Sequence, residues 1–172
     1  AGELSSSAGK LHFEQGVSQS GGALDISNST LKLGVQFNKT SGSVQLDGTE
    51  LELISDVTLN SDSLLSFLNL KLKESSLTLG SEDSDLEIQD LILLDHSSQK
   101  LITGDADLDL KNGIRISAGE ISSTGGSVSI SNSTSLKGGA ISISSGTFAL
   151  GGEFTKSGGN LDLNDTTLSL LS

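Results

Sequence analysis

The sequence predicts an all-β chain folded as a parallel β-helix, or β-solenoid, with coils of about 20 residues. Three observations predict it. Apolar and polar residues alternate over short stretches, glycine-rich turns separate those stretches, and the chain repeats itself over a long and a short period. We therefore interpret residues 1–172 as a single β-solenoid.

Short strands follow from the alternation. Pairs such as Leu31-x-Leu33, Leu51-x-Leu53 and Val128-x-Ile130 recur along the chain, with Ser, Thr, Asp or Lys between them. A period of two places each pair on one face of a strand. Gly-Gly, Ser-Gly, Asn-Ser and Asp-Gly dipeptides supply the turns. The lack of proline is consistent with stacked strands, because proline would interrupt a strand that is hydrogen bonded on both sides.

The long repeat is a duplication. Residues 1–55 match residues 118–172 without a gap, and 23 of the 55 positions are identical. The period is therefore 117 residues, and the chain holds about one and a half periods. Because the chain begins and ends inside a period, we expect it to be part of a longer array.

The short repeat predicts the coil. One column of apolar residues spaced by about 20 runs through Leu11, Leu31, Leu51, Leu70, Leu91, Leu110 and Val128. Six steps in this column span one 117-residue period, which predicts six whole coils per period. Phe37 is then expected to be buried between Val17 and Val57, and Leu46 is expected to be buried as well. A β-sandwich or closed barrel is the alternative fold, but neither needs a 20-residue register kept over six cycles.

Composition excludes several classes of protein. The chain has no cysteine, which excludes a disulfide scaffold and a thiolate metal site. Ten basic residues against 22 acidic ones give a net charge of -12, and Arg115 is the single arginine, which argues against nucleic-acid binding. No apolar run is long enough to span a membrane. The first residues do not form a signal peptide, so we expect any export signal to lie outside this sequence.

The stretches Gly-Gly-Ala-Leu-Asp-Ile-Ser-Asn-Ser-Thr (21–30) and Gly-Gly-Ser-Val-Ser-Ile-Ser-Asn-Ser-Thr (125–134) resemble coils of large bacterial surface proteins. The chain is similar in style to the filamentous-haemagglutinin type and to autotransporter passengers. Gly-Gly-Ala-Leu (21–24) also matches one short motif of chlamydial surface autotransporters, but the companion Phe-x-x-Asn motif is absent. The resemblance implies a right-handed β-helix displayed outside a cell, as a stalk, adhesin or fibre.

No catalytic residue is predicted. Polysaccharide-cleaving β-helices need clustered carboxylates or basic residues and aromatic platforms, whereas this chain has no Trp or Tyr and two isolated histidines, His12 and His96. Alternation points His12 to solvent, and its counterpart in the second copy is Ser129. We therefore expect the protein not to be an enzyme.

No cofactor is expected, and the sequence contains one metal candidate. Asp105, Asp107 and Asp109 lie at i, i+2 and i+4, which on a strand share one face and suit a hard cation such as Ca²⁺. A second acidic stretch comprises Glu82, Asp83, Asp85 and Glu87. The alternative, which we favour, is a solvated acidic face that keeps the protein soluble.

Two apolar runs break the alternation, Leu64-Leu65-Ser66-Phe67-Leu68 and Leu91-Ile92-Leu93-Leu94. One interpretation is a second hydrophobic layer, and the other is a lateral assembly patch. The patch residues are predicted to be Leu65, Phe67, Ile92 and Leu94.

Together these observations predict a structural repeat module of an extracellular adhesin stalk or fibre, located at the cell surface. The alternative is a filament or sheath subunit that stacks coil end to coil end, and a third hypothesis is a β-helix polysaccharide-active enzyme. The expected partners are neighbouring repeats, further copies of the chain, or a host or neighbouring-cell surface. Neither nucleic acid nor membrane insertion is expected.

Overall fold

The structure is a computed structural model that describes residues 2–80 and 83–171. Within those residues it contains 23 short strands and no helix, and all the strand pairings are parallel. The coils form a β-solenoid of about eight turns with roughly 20 residues per coil. The predicted fold class is therefore confirmed.

The strands are short because turns interrupt the chain every few residues. In chain order they are β1 (Glu3–Ser6), β2 (Gly9–Phe13), β3 (Val17–Ile26), β4 (Ser29–Leu33), β5 (Gln36–Gln45), β6 (Glu50–Leu53), β7 (Val57–Asn60), β8 (Leu65–Phe67), β9 (Asn69–Lys71), β10 (Ser76–Leu79), β11 (Leu86–Ile88), β12 (Ile92–Leu94), β13 (Lys100–Gly104), β14 (Leu108–Leu110), β15 (Ile114–Ile116), β16 (Glu120–Ser123), β17 (Ser127–Ile130), β18 (Thr134–Leu136), β19 (Ala140–Ser144), β20 (Thr147–Leu150), β21 (Phe154–Lys156), β22 (Asn160–Asn164) and β23 (Thr167–Leu170).

The strands form four sheets. One has nine strands in the order β1-β3-β5-β7-β10-β13-β16-β19-β22, and another has six in the order β8-β11-β14-β17-β20-β23. Two four-stranded sheets have the orders β2-β4-β6-β9 and β12-β15-β18-β21. Strands that pair are about one coil apart in sequence, as in Leu31 beside Leu51, which is the arrangement of a solenoid.

Each complete coil contributes one strand to each of three faces, which we name A, B and C. Face A consists of the first halves of β3 and β5, followed by β7, β10, β13, β16, β19 and β22. Face B consists of β1 and the second halves of β3 and β5, followed by β8, β11, β14, β17, β20 and β23. Face C joins the two four-stranded sheets, since β9 contacts β12.

Two long strands, β3 and β5, turn the corner from face A to face B. Their pairing shifts register between Gln19 and Ala23, where the chain bends. Gly22 lies there with φ of +75°, and a Cβ on it would overlap the carbonyl oxygen of Gly2 in the coil below. A side chain does not fit at this corner, because the stacked backbones are too close and the φ angle favours glycine.

The core consists of ladders of inward-facing Leu, Ile, Val and Phe residues. Phe37 and Leu46 are buried, as predicted. Phe37 pairs with Val17 as predicted, but on its other side it pairs with Leu59, and the prediction of Val57 is wrong. Because the step from Phe37 to Leu59 is longer than the step from Val17 to Phe37, the register along the chain is not constant.

The predicted division of the 117-residue period into six whole coils is also wrong. Leu4 of β1 pairs with Leu24 on face B, whereas its counterpart Ile121 of β16 pairs with Leu101 and Ile141 on face A. Counting β3 and β5 as two segments each, 17 segments precede β16 at three per coil, which is five and two-thirds coils. The second copy of the duplicated segment is therefore turned by one face relative to the first.

Longer corners in the middle of the chain explain the discrepancy. Leu77 pairs with Leu101 and Leu86 pairs with Leu108, and both steps are longer than the step from Leu31 to Leu51. The column of apolar residues predicted that Val128 pairs with Leu110. Because of the longer corners, Val128 pairs with Leu108 instead. The corners absorb the extra residues, while the inward ladders remain continuous.

Candidate functional site

The three faces differ in charge, and this uneven distribution of charged residues is the candidate functional feature. The strand residues of face B include four acidic residues and, within the part of the chain that the structure describes, no Lys or Arg: Glu3, Asp25, Glu87 and Asp109. The strands of face C include five basic residues and two acidic ones: Lys10, Lys32, Lys71, Arg115, Lys156, Glu50 and Glu52. Lys156 lies on the inward ladder beside buried Leu136, whereas the other four basic residues point outward. A strongly acidic chain therefore presents one face on whose strands basic residues outnumber acidic ones.

In the N-terminal half of face C the charges neutralise one another along the solenoid axis. Glu52 accepts ion pairs from Lys32 at 2.7 Å and from Lys73 at 2.5 Å, and it is 8% exposed. The hydrogen bonds from these two ammonium groups lower the pKa of Glu52 from 4.5 to about 2. This network joins three successive coils, so it stabilises the stack and leaves little charge free for a ligand.

The C-terminal half of face C has a different surface. Leu93, Arg115 and Lys137 line a shallow groove of about 190 Å³. Leu93 is 55% exposed, and Arg115 follows it directly in the ladder of face C. Across residues 2–80 and 83–171, neither Arg115 nor Lys137 has an ion-pair partner. The sequence analysis did not predict this groove, although Arg115, the single arginine of the chain, lies in it.

The calcium candidates lie at the corner before β14 and along the outward side of face B. Asp107 accepts a hydrogen bond from the backbone N–H of Ser127 at 2.7 Å, and Asp109 pairs with Lys111. Asp105 accepts from the Thr124 hydroxyl at 3.2 Å. Among residues 2–80 and 83–171 no group of three or more His or acidic side chains is arranged to hold a metal ion.

The second acidic stretch contacts the first through a lysine. Lys111 also pairs with Glu87 at 3.1 Å, and its bonds to Asp109 and Glu87 raise the pKa of the lysine. Burial raises the pKa of Glu87, but the bonds from Lys111 and Ser66 outweigh that effect, so the net pKa is lowered. Glu82 lies outside the described residues.

The predicted assembly patch is wrong. Leu65, Phe67, Ile92 and Leu94 point inward and are each no more than 2% exposed. Strand pairing sets this orientation, because Leu65 is beside buried Leu86, and Ile92 is beside buried Ile114.

The residues that face outward are their neighbours Leu64, Leu68 and Leu93, which are 56%, 41% and 55% exposed. They do not form one patch. Leu64 lines a groove on face B beside Asp85 and Asp107, whereas Leu93 lies on face C.

The two histidines lie in separate coils. His12 is exposed in β2 opposite Lys32, on the outward side that alternation predicts. His96 is exposed at a corner, where its Nδ1 lies 2.8 Å from the Ser98 hydroxyl. The fold does not bring these two side chains together.

The two ends of the solenoid expose apolar residues that belong to the inward ladders. Leu4 in β1 is 44% exposed, and Leu168 and Leu170 in β23 are 53% and 77% exposed. These are the largest departures from the rule that inward residues are buried.

Comparison with known proteins adds no relative: no family model, no curated protein and no solved structure matches this chain. Within the described residues, no helix has the length and apolar character needed to cross a membrane.

Proposed function

We propose that this chain is a non-catalytic structural module of an extracellular stalk or fibre, of the filamentous-haemagglutinin or autotransporter-passenger type. The observation that supports the proposal is the continuous stack of coils, in which one sheet of nine parallel strands runs from β1 to β22. At about 4.8 Å per coil, eight turns extend roughly 40 Å. A stack of this kind adds length by adding coils, which suits a spacer.

The side chains that point outward are consistent with this role. Stacked coils present Ser and Thr residues, such as Ser129 on face B and Ser135 on face C, together with axial ion pairs like that of Lys32 and Glu52. Axial pairs brace one coil against the next. A polar surface of this kind is suited to exposure to water.

The test is to locate the protein and to assay it. An antibody raised against the 172-residue chain should label intact cells that produce the protein, and deletion of residues 56–117 from its gene should shorten or remove the labelled surface structure. Labelling only after cell lysis would overturn the proposal. Turnover of any member of a panel of neutral and acidic polysaccharides by the purified chain would instead support the enzyme alternative.

A further inference from the structure

Two grooves, each with an outward-facing leucine, carry opposite charges. On face C, Leu93 shares its groove with Arg115 and Lys137, and among the described residues Asp95 is the one acidic residue that lines it. On face B, Leu64 lies in a groove of about 230 Å³. Four acidic residues line that second groove: Asp85, Glu87, Asp107 and Asp109. Each groove therefore combines an exposed leucine with charges that are complementary to those of the other.

The negative charge of the face B groove is only partly neutralised. Lys111 forms ion pairs with two of the four carboxylates. Among residues 2–80 and 83–171, no lysine or arginine forms an ion pair with the other two, Asp85 and Asp107. Asp85 accepts a hydrogen bond from the backbone N–H of Asp107 at 2.9 Å, and Asp107 accepts one from the backbone N–H of Ser127 at 2.7 Å. These bonds orient the carboxylates but add no positive charge.

The residues of both grooves follow the same order from coil to coil. On face B, a leucine and then two aspartates directly precede β8, β11 and β14, which are neighbours in their sheet. On face C, Leu93 lies in β12, Arg115 lies in the neighbouring β15, and Lys137 directly follows the next strand, β18. Each groove therefore presents a leucine, a charge and a second charge on three successive coils, in the direction of the chain.

We propose that the face C groove of one copy of this chain packs laterally against the face B groove of a second copy, with the two solenoid axes parallel. The rows that meet are Leu93 with Leu64, Arg115 with Asp85, and Lys137 with Asp107. With antiparallel axes, the leucine of each groove would instead meet a charged residue of the other. The contact goes beyond the stalk role proposed above, because a single stalk does not require it.

The strength and symmetry of this contact follow from the two surfaces. Both grooves have the same row spacing, about 4.8 Å per coil, so the three rows stay in register. Burial of the two leucines and pairing of opposite charges favour association, whereas the net charge of -12 on each copy opposes it. The matched rows extend only about 14 Å along the axis, so we expect a weak association that requires high concentration. Because the grooves are different surfaces of one molecule, the contact is heterologous, and each copy can bind one neighbour through each groove.

The first experiment reverses one charge in the face C groove. Arg115→Glu is compared with the wild type and with Lys10→Glu as the matched control. Like Arg115, Lys10 is an exposed residue of a face C strand and has no ion-pair partner within the described part of the chain. Circular dichroism checks that each variant is folded, and sedimentation velocity at increasing concentration measures association. Lys10→Glu should associate as the wild type does, whereas Arg115→Glu should lower the association constant at least about tenfold.

Three results would overturn the proposal: a wild type that is monomeric at the highest concentration, equal association of the wild type and Arg115→Glu, or equal weakening by both charge reversals. A monomeric wild type that binds immobilised heparin, where Arg115→Glu does not, would show that the face C groove binds an anionic polysaccharide instead. Surface labelling of cells does not depend on any of these results, so the stalk role and the lateral contact can fail independently.

The second experiment restores the contact by mixing two variants. Asp85→Lys reverses a matched charge in the face B groove, and this variant alone should also fail to associate. An equimolar mixture with Arg115→Glu should associate again, because Arg115→Glu retains an intact face B groove and Asp85→Lys retains an intact face C groove. General attraction does not explain such a recovery, since each reversal changes the net charge of -12 by only two units. A mixture that remains monomeric while both variants are folded would overturn the pairing.

The third experiment tests the direction of the axes and uses the absence of cysteine. A copy with Leu64→Cys is mixed with a copy that carries either Leu93→Cys in β12 or Ser135→Cys in β18. Packed sheets are about 10 Å apart, so a bismaleimide of about that length can join thiols in facing rows. Leu93→Cys should be linked to Leu64→Cys at least about ten times faster than Ser135→Cys is, because its thiol is held nearby. Faster linking of Ser135→Cys would show antiparallel axes, and preferential linking of Leu64→Cys to itself would show that face B binds face B. Either result would overturn the proposal.

Discussion

The two copies of the duplicated segment, residues 2–55 and 118–171, differ less in their local structure than in what lies next to them. The strands of the two copies lie at nearly the same positions 117 residues apart, except that β3 corresponds to β18 and β19, and β5 corresponds to β21 and β22. The same corner hydrogen bond recurs, from the Thr49 hydroxyl to the Ile26 carbonyl at 2.6 Å and from the Thr166 hydroxyl to the Ile143 carbonyl at 2.8 Å. Local conformation therefore follows the repeated sequence.

Burial does not follow it. Leu53 is 0% exposed and its counterpart Leu170 is 77% exposed, whereas Leu4 is 44% exposed and its counterpart Ile121 is 0%. The reason is axial: the first copy is covered on its C-terminal side and the second on its N-terminal side. In a solenoid, an inward residue is buried by the coils before and after it, so identical sequences differ in stability with their position in the stack.

The largest expected effect compares Leu53→Ala with Leu170→Ala. The first variant should lower the free energy of unfolding by about 2–5 kcal/mol, because it leaves a cavity between stacked coils. The second should cost no more than about 0.5 kcal/mol, as for an exposed side chain. Chemical denaturation at micromolar concentration measures both. Equal losses would mean that the open end is covered in the monomer.

A smaller effect is expected at a corner that both copies share. Gly139 has φ of +64°, and a Cβ there would overlap the Gly119 carbonyl oxygen, much as at Gly22. Gly22→Ala and Gly139→Ala should each cost about 1–3 kcal/mol through strain and displacement of the stacked backbone. Gly104→Ala is the control for strain alone, because φ there is +57° and the nearest atom to an added Cβ is 3.9 Å away. A control variant as destabilised as the other two would remove the close approach from the explanation.

The third prediction uses a charge network that only the first copy has. Lys32 and Glu52 correspond to Ala149 and Ser169 in the second copy. Because the pKa of Glu52 is lowered from 4.5 to about 2 in the folded chain, its contribution is present above about pH 5. That contribution is lost as the pH falls from 4.5 towards 2.

Glu52→Gln should therefore lower the free energy of unfolding at pH 7 by about 1–2 kcal/mol, because solvent around the exposed Lys73 weakens the ion pair. The variant should also flatten the dependence of stability on pH between about pH 5 and pH 2. Glu50→Gln is the control, since its partner Lys71 is 53% exposed and the pair should contribute less than about 0.5 kcal/mol. Chemical denaturation of both variants at several pH values measures the difference between them. An unchanged pH dependence in Glu52→Gln would contradict the assignment of this stability to Glu52.

The smallest expected effect concerns the middle segment, residues 56–117, which neither copy shares. Millimolar Ca²⁺ should leave the melting temperature nearly unchanged, because Asp107 and Asp109 already have partners in Ser127 and Lys111. A bound ion would raise the melting temperature by mass action. A calcium-dependent rise that disappears in Asp107→Asn would show that the acidic face is a metal site.

The sequence by itself was sufficient for everything that depends on near neighbours. Alternation predicted that His12 faces outward and that Phe37 and Leu46 face inward, and the structure agrees. The Gly-Gly phrases marked the corners, where φ and close backbone approach require glycine. Each of these features depends on interactions among residues close together in the chain, so the local sequence determines it.

Only the tertiary structure decided what depends on stacking. It showed that Leu65 and Ile92 point inward, that Phe37 meets Leu59, and that the second copy is turned by one face. It also segregated the charges, with Arg115 on face C and Asp109 on face B. The physical reason is that the separation of stacking partners along the chain varies with the lengths of the corners between them. It is shorter from Leu51 to Leu70 than from Leu77 to Leu101. Alternation sets which side of a strand is apolar, but corner length sets which strand lies above it.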